Sequence, residues 1–191
     1  MNIRNASRYH EVYARSMSDP DGFWREAARD IDWIEPPKRI FDRSLGLYGR
    51  WFPDAVVNTC HNALDRHVAG GRADQLALIH DSPLAGSVRK FTYAEMLHEV
   101  QTLAAIMQDF GVAKGDRVIL YMPMVPEAVV AMLACARIGA VHSVVFGGFA
   151  AKELATRIED AKPKLIFSAS CGLEPGRIVQ YKPLLDEALK L

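Results

Sequence analysis

The chain has 191 residues, half of them hydrophobic, so it is long enough to bury a core and too apolar for a disordered protein. Its 23 Lys and Arg residues balance 23 Asp and Glu residues, which leaves no global field for nucleic acid or an anionic membrane. Cys60, Cys135 and Cys171 are far apart and predict buried free thiols in a reducing compartment. The six His residues show no zinc-type spacing, so we expect no metal site.

Residues 1–75 are predicted to form a mainly helical N-terminal arm. Asp19 and Pro20 have the residue types of an N-cap and a first helical position, and the run Glu35-Pro36-Pro37 breaks the helix that follows. Asn58 caps a second helix, which ends at Gly70-Gly71.

Residues 76–191 follow a different pattern. The runs LALIH and SVRKFTY flank the turn-rich segment DSPLAG and predict a β-hairpin. Thr92 and Glu95 form the capping-box pattern of a helix. Apolar strands are predicted at 117–121, 141–146 and 164–169, and helices at 126–138, at 150–161 and from Pro183 onward. The alternation of apolar strands with helices predicts an α/β fold, a partial doubly wound parallel sheet with helices on both faces.

Two glycine-containing segments follow strands of this sheet. Gly147-Gly148 follows the strand that ends at Phe146, and SCGLEPGR follows the next one. Ligands of such sheets bind outside the carboxyl ends of the strands. By itself, however, a Gly pair is commonly a strand-to-helix turn, Pro-Gly is a turn signal, and a lone Arg is commonly a solvated surface charge.

Four stretches of the chain resemble the AMP-forming short-chain acyl-CoA synthetases, the acetyl- and propionyl-CoA synthetase branch of the adenylate-forming enzymes. They are the N-terminal pattern around Tyr9, Tyr13 and Ser16, and the runs at 58–67, 115–149 and 160–177. They follow the order of the family and span nearly the whole chain. IHDSPLAGS and the tetrapeptide EPGR are more similar to propionyl-CoA than to acetyl-CoA synthetases.

The resemblance implies a two-step reaction in which a carboxylate and ATP, with Mg²⁺, give an acyl-adenylate and pyrophosphate, and the CoA thiol then displaces AMP. It covers only the N-terminal part of such an enzyme. The Ser/Thr/Gly-rich phosphate loop with its Lys, the adenine-binding motif and the C-terminal domain with the catalytic Lys match nothing in this sequence. We therefore expect residues 76–191 to be the first part of the large AMP-binding domain, with no catalytic residue in the chain and no activity of the chain alone.

The resemblance also implies that this chain contributes part of the CoA site. The family segment that matches Phe146, Gly147 and Gly148 lies along CoA, and the segment that matches Glu174, Pro175, Gly176 and Arg177 contacts its nucleotide and phosphate end. A glycine pair lets backbone amides approach a ligand, and Arg177 can form forked bonds to a phosphate. Acetyl-type relatives often carry an Arg where this chain has Glu174, so Glu174 is expected to act through its backbone or not at all.

Three further features have a structural interpretation. Asp65 and His67 are two residues apart on a helix and point apart, so we expect Asp65 or Arg66 in a structural ion pair and His67 packed inward, rather than a catalytic pair. Met122, Met124 and Met132 are expected to fill the core. Cys171 has no evident base and is expected to be a bystander.

Two alternatives to a ligase remain open: a short protein that binds CoA or acyl-CoA without catalysis, and an interaction module. For the ligase, the expected partners are a short-chain carboxylate, CoA and the rest of a synthetase chain, without nucleic acid or membrane. An open sheet edge favours self-association. The expected location is the cytoplasm, or the mitochondrial matrix in a eukaryote.

Overall fold

The computed structural model describes residues 8–145, 147 and 150–191, and its chain divides into two compact units between Val57 and Asn58. The segment from Asn58 to Arg72 thus belongs to the second unit, although the sequence groups it with the arm. The domain boundary at residue 75 stays a prediction.

Besides a 3₁₀ helix at Ala28–Asp30, the described residues of the first unit form two α-helices and four short strands. They are α1 (Tyr9–Ser18), α2 (Pro20–Ala27), β1 (Trp33–Glu35), β2 (Phe41–Asp42), β3 (Arg50–Trp51) and β4 (Val56–Val57). The Asp19 carboxylate accepts a hydrogen bond from the backbone N–H of Gly22 at 3.0 Å, so the predicted N-cap is present. The helix ends well before the Pro pair, because Trp33 pairs with Val57 in a β-ladder.

The second unit begins with two helical segments, His61–Asp65 and Val68–Arg72. Its further elements are β5 (Leu76–Ser82), β6 (Ser87–Thr92), α3 (Tyr93–Asp109), β7 (Arg117–Tyr121), α4 (Pro126–Ile138), β8 (Val141–Val144), α5 (Ala151–Ala161), β9 (Leu165–Ser168), β10 (Cys171–Glu174), β11 (Arg177–Gln180) and α6 (Tyr181–Ala188).

A three-stranded parallel sheet with the strand order β8-β7-β9 forms the centre of the second unit. Val118 and Leu120 of the central strand pack into one core with α3 and α4, and Ile119 and Tyr121 pack into another with α5 and α6. All four side chains are buried because the strand is covered on both faces. The predicted α/β fold with helices on both faces is therefore confirmed.

Local sequence signals position several elements as predicted. β5 and β6 form an antiparallel hairpin. Thr92 and Glu95 form a reciprocal capping box, with the Thr92 N–H donating to the Glu95 carboxylate at 2.8 Å. Pro126 begins α4, and Gly139, at φ +76°, ends it in the left-handed region that favours glycine.

The end of the chain departs from the sequence-based expectation. SCGLEPGR is part of a second antiparallel hairpin, β10–β11, which pairs with neither edge of the parallel sheet. The last helix begins at Tyr181, two residues before Pro183, which therefore lies inside its first turn. Within the described residues no helix is both long and apolar enough to cross a bilayer.

Asp65 forms an ion pair with Arg137 on α4. The Arg137 Nη1 lies 2.8 and 3.0 Å from the two carboxylate oxygens, and the Asn58 side-chain amide donates to the Arg137 carbonyl at 2.9 Å. These contacts attach the segment that begins at Asn58 to α4. The structural interpretation of Asp65 is thus supported by its geometry.

Candidate functional site

A cavity of about 420 Å³ lies at the carboxyl ends of β7 and β8. Its wall comes from the β5–β6 hairpin, the loop after β7, the turn after β8 and strand β10, and the lining residues are His80, Ser82, Ala85, Met122–Val125, Val144, Val145, Gly147, Cys171–Leu173 and Tyr181. This is the place where parallel sheets of this kind bind ligands.

The β10–β11 hairpin connects this cavity to a charged tip. Residues at the base of β10 line the cavity, and Glu174 and Arg177 face each other at the turn. Three residue steps separate Cys171 from Glu174, which is roughly 10 Å of extended chain. Gly176 has φ +76°, the value that the third position of a type II Pro-Gly turn requires. The hairpin thus presents a polar end beside an apolar slot.

Arg177 has its guanidinium on the Glu174 carboxylate. Its Nε and Nη2 lie 2.7 and 2.6 Å from the same Glu174 oxygen, Oε2. The Arg177 side chain is nevertheless 69% exposed, so three of its five N–H donors stay available for a ligand such as a phosphate. The Glu174 side chain is thus paired with Arg177, and the expectation that Glu174 meets CoA through its backbone or not at all stays a prediction.

Gly147 is buried, and the reason for a glycine there is internal packing. A Cβ built on Gly147 would lie 2.0 Å from the Tyr181 hydroxyl oxygen and 2.4 Å from Cζ of that ring. Its φ lies outside the left-handed region, so the backbone itself does not require glycine. The expectation that Gly147 leaves space for a ligand is therefore incomplete, because the space where a Cβ would stand belongs to Tyr181.

The remaining predicted site residues are placed as follows. Phe146 and Gly148 lie outside the described residues. Pro175 and Gly176 form the turn of the β10–β11 hairpin. They do not line the cavity, although other residues of this hairpin do. Sequence reasoning missed Tyr181, because a Tyr after a strand-like run carries no signal of its contact with a glycine 34 positions earlier.

Two further residues in the cavity wall were considered from the sequence. Met124 was expected in the core, and this is wrong: its side chain is 92% exposed, because it lies in the loop between β7 and α4. Cys171 is half-buried rather than buried. Cys60 and Cys135 are buried as expected, and burial raises the pKa of the Cys135 thiol to about 11.

His80 adds a polar group to the wall. Its Nε2 lies 3.2 Å from the Met124 carbonyl oxygen, and its Nδ1 is buried with no hydrogen-bond partner among the described residues. Most of the surrounding surface is apolar, contributed by Pro123, Val125 and Val144. The cavity thus suits an uncharged group with few polar atoms.

The comparisons with known proteins show the family. The model of the AMP-binding enzyme family matches residues 64–189, and the model of the acetyl-coenzyme A synthetase N-terminus matches residues 9–63. Because the first match alone covers more than half of the chain, the chain belongs to the AMP-binding enzyme family. The resemblance to short-chain acyl-CoA synthetases is confirmed.

Individual relatives agree with this assignment. The chain is 47% identical over 187 residues to human acyl-CoA synthetase short-chain family member 3, mitochondrial, covering 98% of this chain and 27% of that protein. It is 48% identical over 181 residues to the propionate–CoA ligase of Salmonella typhimurium, covering 95% and 29%. Acetoacetyl-CoA synthetase from Streptomyces lividans superposes with a TM-score of 0.86 at 29% identity, covering 96% and 28%. The chain therefore spans less than a third of the length of these relatives.

The residues present do not fit ATP and Mg²⁺, which the family implies. The sequence contains no phosphate loop with a Lys and hydroxyl residues, and the described residues hold no group of three His, Cys, Asp or Glu close enough to bind a metal ion.

Proposed function

We propose that this chain is the N-terminal part of an AMP-forming acid–CoA ligase and contributes part of its CoA site. The observation that carries the proposal is the exposed Arg177 at the tip of a hairpin whose base lines the cavity at the sheet's carboxyl edge. CoA has matching chemistry, since it carries phosphates at one end and an uncharged pantetheine arm towards its thiol.

In this proposal each feature has a separate task. Arg177 binds a CoA phosphate through forked, charge-assisted hydrogen bonds. The apolar cavity holds the uncharged arm, with the turn at Gly147 in its wall, and Phe146 and Gly148 stay proposed CoA-binding residues. Glu174, Pro175 and Gly176 shape the tip that carries Arg177. CoA is thereby oriented so that its thiol can displace AMP from an acyl-adenylate, a contribution of positioning rather than of acid–base chemistry.

The substrate proposed for the whole enzyme is propionate, with acetate as the next candidate. The similarity of IHDSPLAGS and EPGR to propionyl-CoA synthetases supports this choice, as does the name of the Salmonella typhimurium relative, a propionate–CoA ligase. Under this proposal the enzyme works in the cytoplasm, or in the mitochondrial matrix of a eukaryote, and its other partners are ATP with Mg²⁺ and the rest of the synthetase chain.

Two assays test this function, one for the activity of the native polypeptide and one for the inactivity of the 191-residue chain alone. The native polypeptide, identified in its source cell by immunoblotting against this segment, should be several-fold heavier than this chain. When purified, it should form propionyl-CoA, AMP and pyrophosphate only when propionate, ATP and CoA are all present. The 191-residue chain alone should release no propionate-dependent pyrophosphate. Propionate-dependent turnover by the short chain would sink the claim that it is inactive by itself.

The open edge of the sheet favours an interaction module as the second candidate. β8 is an edge strand, and its Val141 and Val144 are 54% and 56% exposed. Such an edge offers free backbone groups to another strand. A native polypeptide with the mass of this chain that binds no CoA would favour this candidate over the ligase.

A further inference from the structure

Tyr181 lies where three parts of the candidate site meet. It is the first residue of α6, directly after β11, and its backbone N–H donates to the Ser170 carbonyl at 3.1 Å. Only 5% of the residue is exposed. Its position is therefore fixed by the helix start on one side and by the beginning of the β10–β11 hairpin on the other.

The Tyr181 ring fills space that two glycines leave open. A Cβ on Gly147 would lie 2.0 Å from the ring's hydroxyl oxygen, and a Cβ on Gly172 would lie 2.8 Å from it. The ring also contacts Tyr121, at the end of the central strand, with centroids 5.0 Å apart and planes at 63°. One side chain thus touches the turn after β8, strand β10 and the end of β7.

Neither glycine is required by its backbone. Gly147 and Gly172 both have φ values outside the left-handed region, whereas Gly176 at the hairpin turn has φ +76° and no atom within 4 Å of its Cβ position. The residue types at 147 and 172 are therefore explained by the ring that packs on them. This arrangement links three residues that are far apart in the sequence.

The hairpin needs such a contact to hold its orientation. It is two-stranded and separate from the parallel sheet, and Leu173 and Ile178 are about half exposed. An isolated two-stranded hairpin is marginally stable in water. Its orientation relative to the sheet therefore depends on a few packing contacts, which include the contact between Tyr181 and Gly172, both of them in the cavity wall.

We propose that Tyr181 is a positioning residue for CoA: its ring sets the separation between the turn at Gly147 and the hairpin that carries Arg177. This inference rests on the proposed function, because it concerns the same CoA site. Tyr181 does not itself act on the reacting atoms. It holds the two walls at the spacing at which CoA can touch both.

The test uses the full-length synthetase and compares its two half-reactions. Propionate-dependent exchange of pyrophosphate into ATP needs no CoA and reports adenylate formation, whereas the KM for CoA reports the second step. We expect Gly147→Ala to raise the KM for CoA roughly tenfold, because the added methyl group overpacks against the ring. Gly70→Ala is the matched control: Gly70 has an ordinary φ and open space around its Cβ position, and it should leave both half-reactions unchanged.

Substitutions of the ring complete a double-mutant cycle. Leu lacks Cε1, Cζ and Oη, the three atoms closest to the Gly147 Cβ position, so Tyr181→Leu should raise the KM for CoA through loss of spacing, and Gly147→Ala should do less harm in that background than alone. Tyr181→Phe keeps the ring and should stay within about twofold of the parent enzyme. In each damaging variant, the KM for CoA should change more than the exchange rate.

Each outcome decides the matter. The positioning role would be overturned by a proportional loss of both half-reactions, or by a KM for CoA that Gly147→Ala does not change. It would also be overturned if the effects of Gly147→Ala and Tyr181→Leu on the KM for CoA simply multiply. If Arg177→Ala raises the KM for CoA while the Gly147 and Tyr181 variants do not, only this inference fails. If Arg177→Ala also leaves the KM for CoA unchanged, the proposed CoA site fails with it.

Discussion

Glu174 and Arg177 face each other across the turn of the β10–β11 hairpin, with the Arg177 Nη2 2.6 Å from the Glu174 Oε2. The pair lies on the surface, where an ion pair contributes on the order of 0.2–1 kcal/mol. A phosphate that binds Arg177 must share the guanidinium with this carboxylate or displace it. Glu174 is thus a local competitor of the proposed ligand.

Replacing Glu174 by Gln should therefore strengthen CoA binding. The substitution removes the competing charge and keeps the shape of the side chain, so the dissociation constant for CoA should fall by a factor of about 1.5 to 5, the range that corresponds to an exposed ion pair. Isothermal titration calorimetry with CoA at low ionic strength measures this dissociation constant. Glu153→Gln, which breaks another exposed pair, with Arg157, is the control and should have no effect. Weaker binding by Glu174→Gln would show that the carboxylate supports the site.

The Asp65–Arg137 pair should contribute to stability and not to chemistry. Both side chains are about three-quarters buried, and one nitrogen of Arg137 contacts both carboxylate oxygens. Arg137→Ala leaves the carboxylate without its partner and should lower the free energy of unfolding by roughly 1–3 kcal/mol. Urea denaturation measures this loss.

The exposed pair of Arg157 with Glu153 provides the comparison. Arg157→Ala should cost at most about 1 kcal/mol in the same denaturation experiment. An equal loss in the two variants would mean that burial of the Asp65–Arg137 pair adds nothing.

The pKa of the Cys135 thiol predicts an alkaline loss of stability. Burial raises this pKa from 9.0 to about 11 in the folded state. Because the unfolded chain loses its proton first, the contribution of Cys135 is fully present below pH 9 and is lost as the pH rises towards 11. The slope from this one group is at most about 1.4 kcal/mol per pH unit.

Comparison with Cys135→Ala isolates this group from the Tyr and Lys residues that titrate in the same range. Between pH 9 and 11 the free energy of unfolding of Cys135→Ala should fall less steeply than that of the parent. Parallel curves would contradict the assignment of the slope to this buried thiol.

The exposed edge strand predicts self-association of the 191-residue chain. Val144 is 56% exposed on β8, and a charge there should disfavour pairing with another edge. Sedimentation velocity should show that Val144→Lys raises the monomer fraction, whereas Ile106→Lys, which adds the same charge on α3, should not. A monomeric parent chain would refute the prediction.

The central sheet could be predicted from the sequence because its central strand is a near-continuous apolar run between Gly115 and Pro123, and each edge strand follows a helix stop, at Gly139 or Pro163. The run at 117–121 and the helix at 126–138 show this directly, since their ends coincide with Arg117, Tyr121, Pro126 and Gly139 in the structure. These signals are local, and the central strand, which is buried on both faces, gives a continuous apolar run rather than an alternation of apolar and polar residues.

The candidate site was less predictable because its contacts are long-range. Each strand of the β10–β11 hairpin has only four residues, too few for a periodic signal, although its Pro-Gly turn was evident. Gly147 is a glycine because of Tyr181, and no local pattern connects the two. Met124 belongs to an apolar sequence run but lies in a loop, so composition alone placed it wrongly.

The most direct test of the CoA site compares CoA with 3′-dephospho-CoA in the parent synthetase and in Arg177→Ala. If Arg177 binds the 3′-phosphate, the parent should prefer CoA by roughly tenfold or more, and Arg177→Ala should bind both molecules about equally, as the loss of a charge-assisted phosphate contact requires. Glu174→Gln should keep the preference for CoA. An unchanged preference in Arg177→Ala, together with an unchanged dissociation constant for CoA, would contradict the assignment of Arg177 to a CoA phosphate, and with it the proposed role of the hairpin.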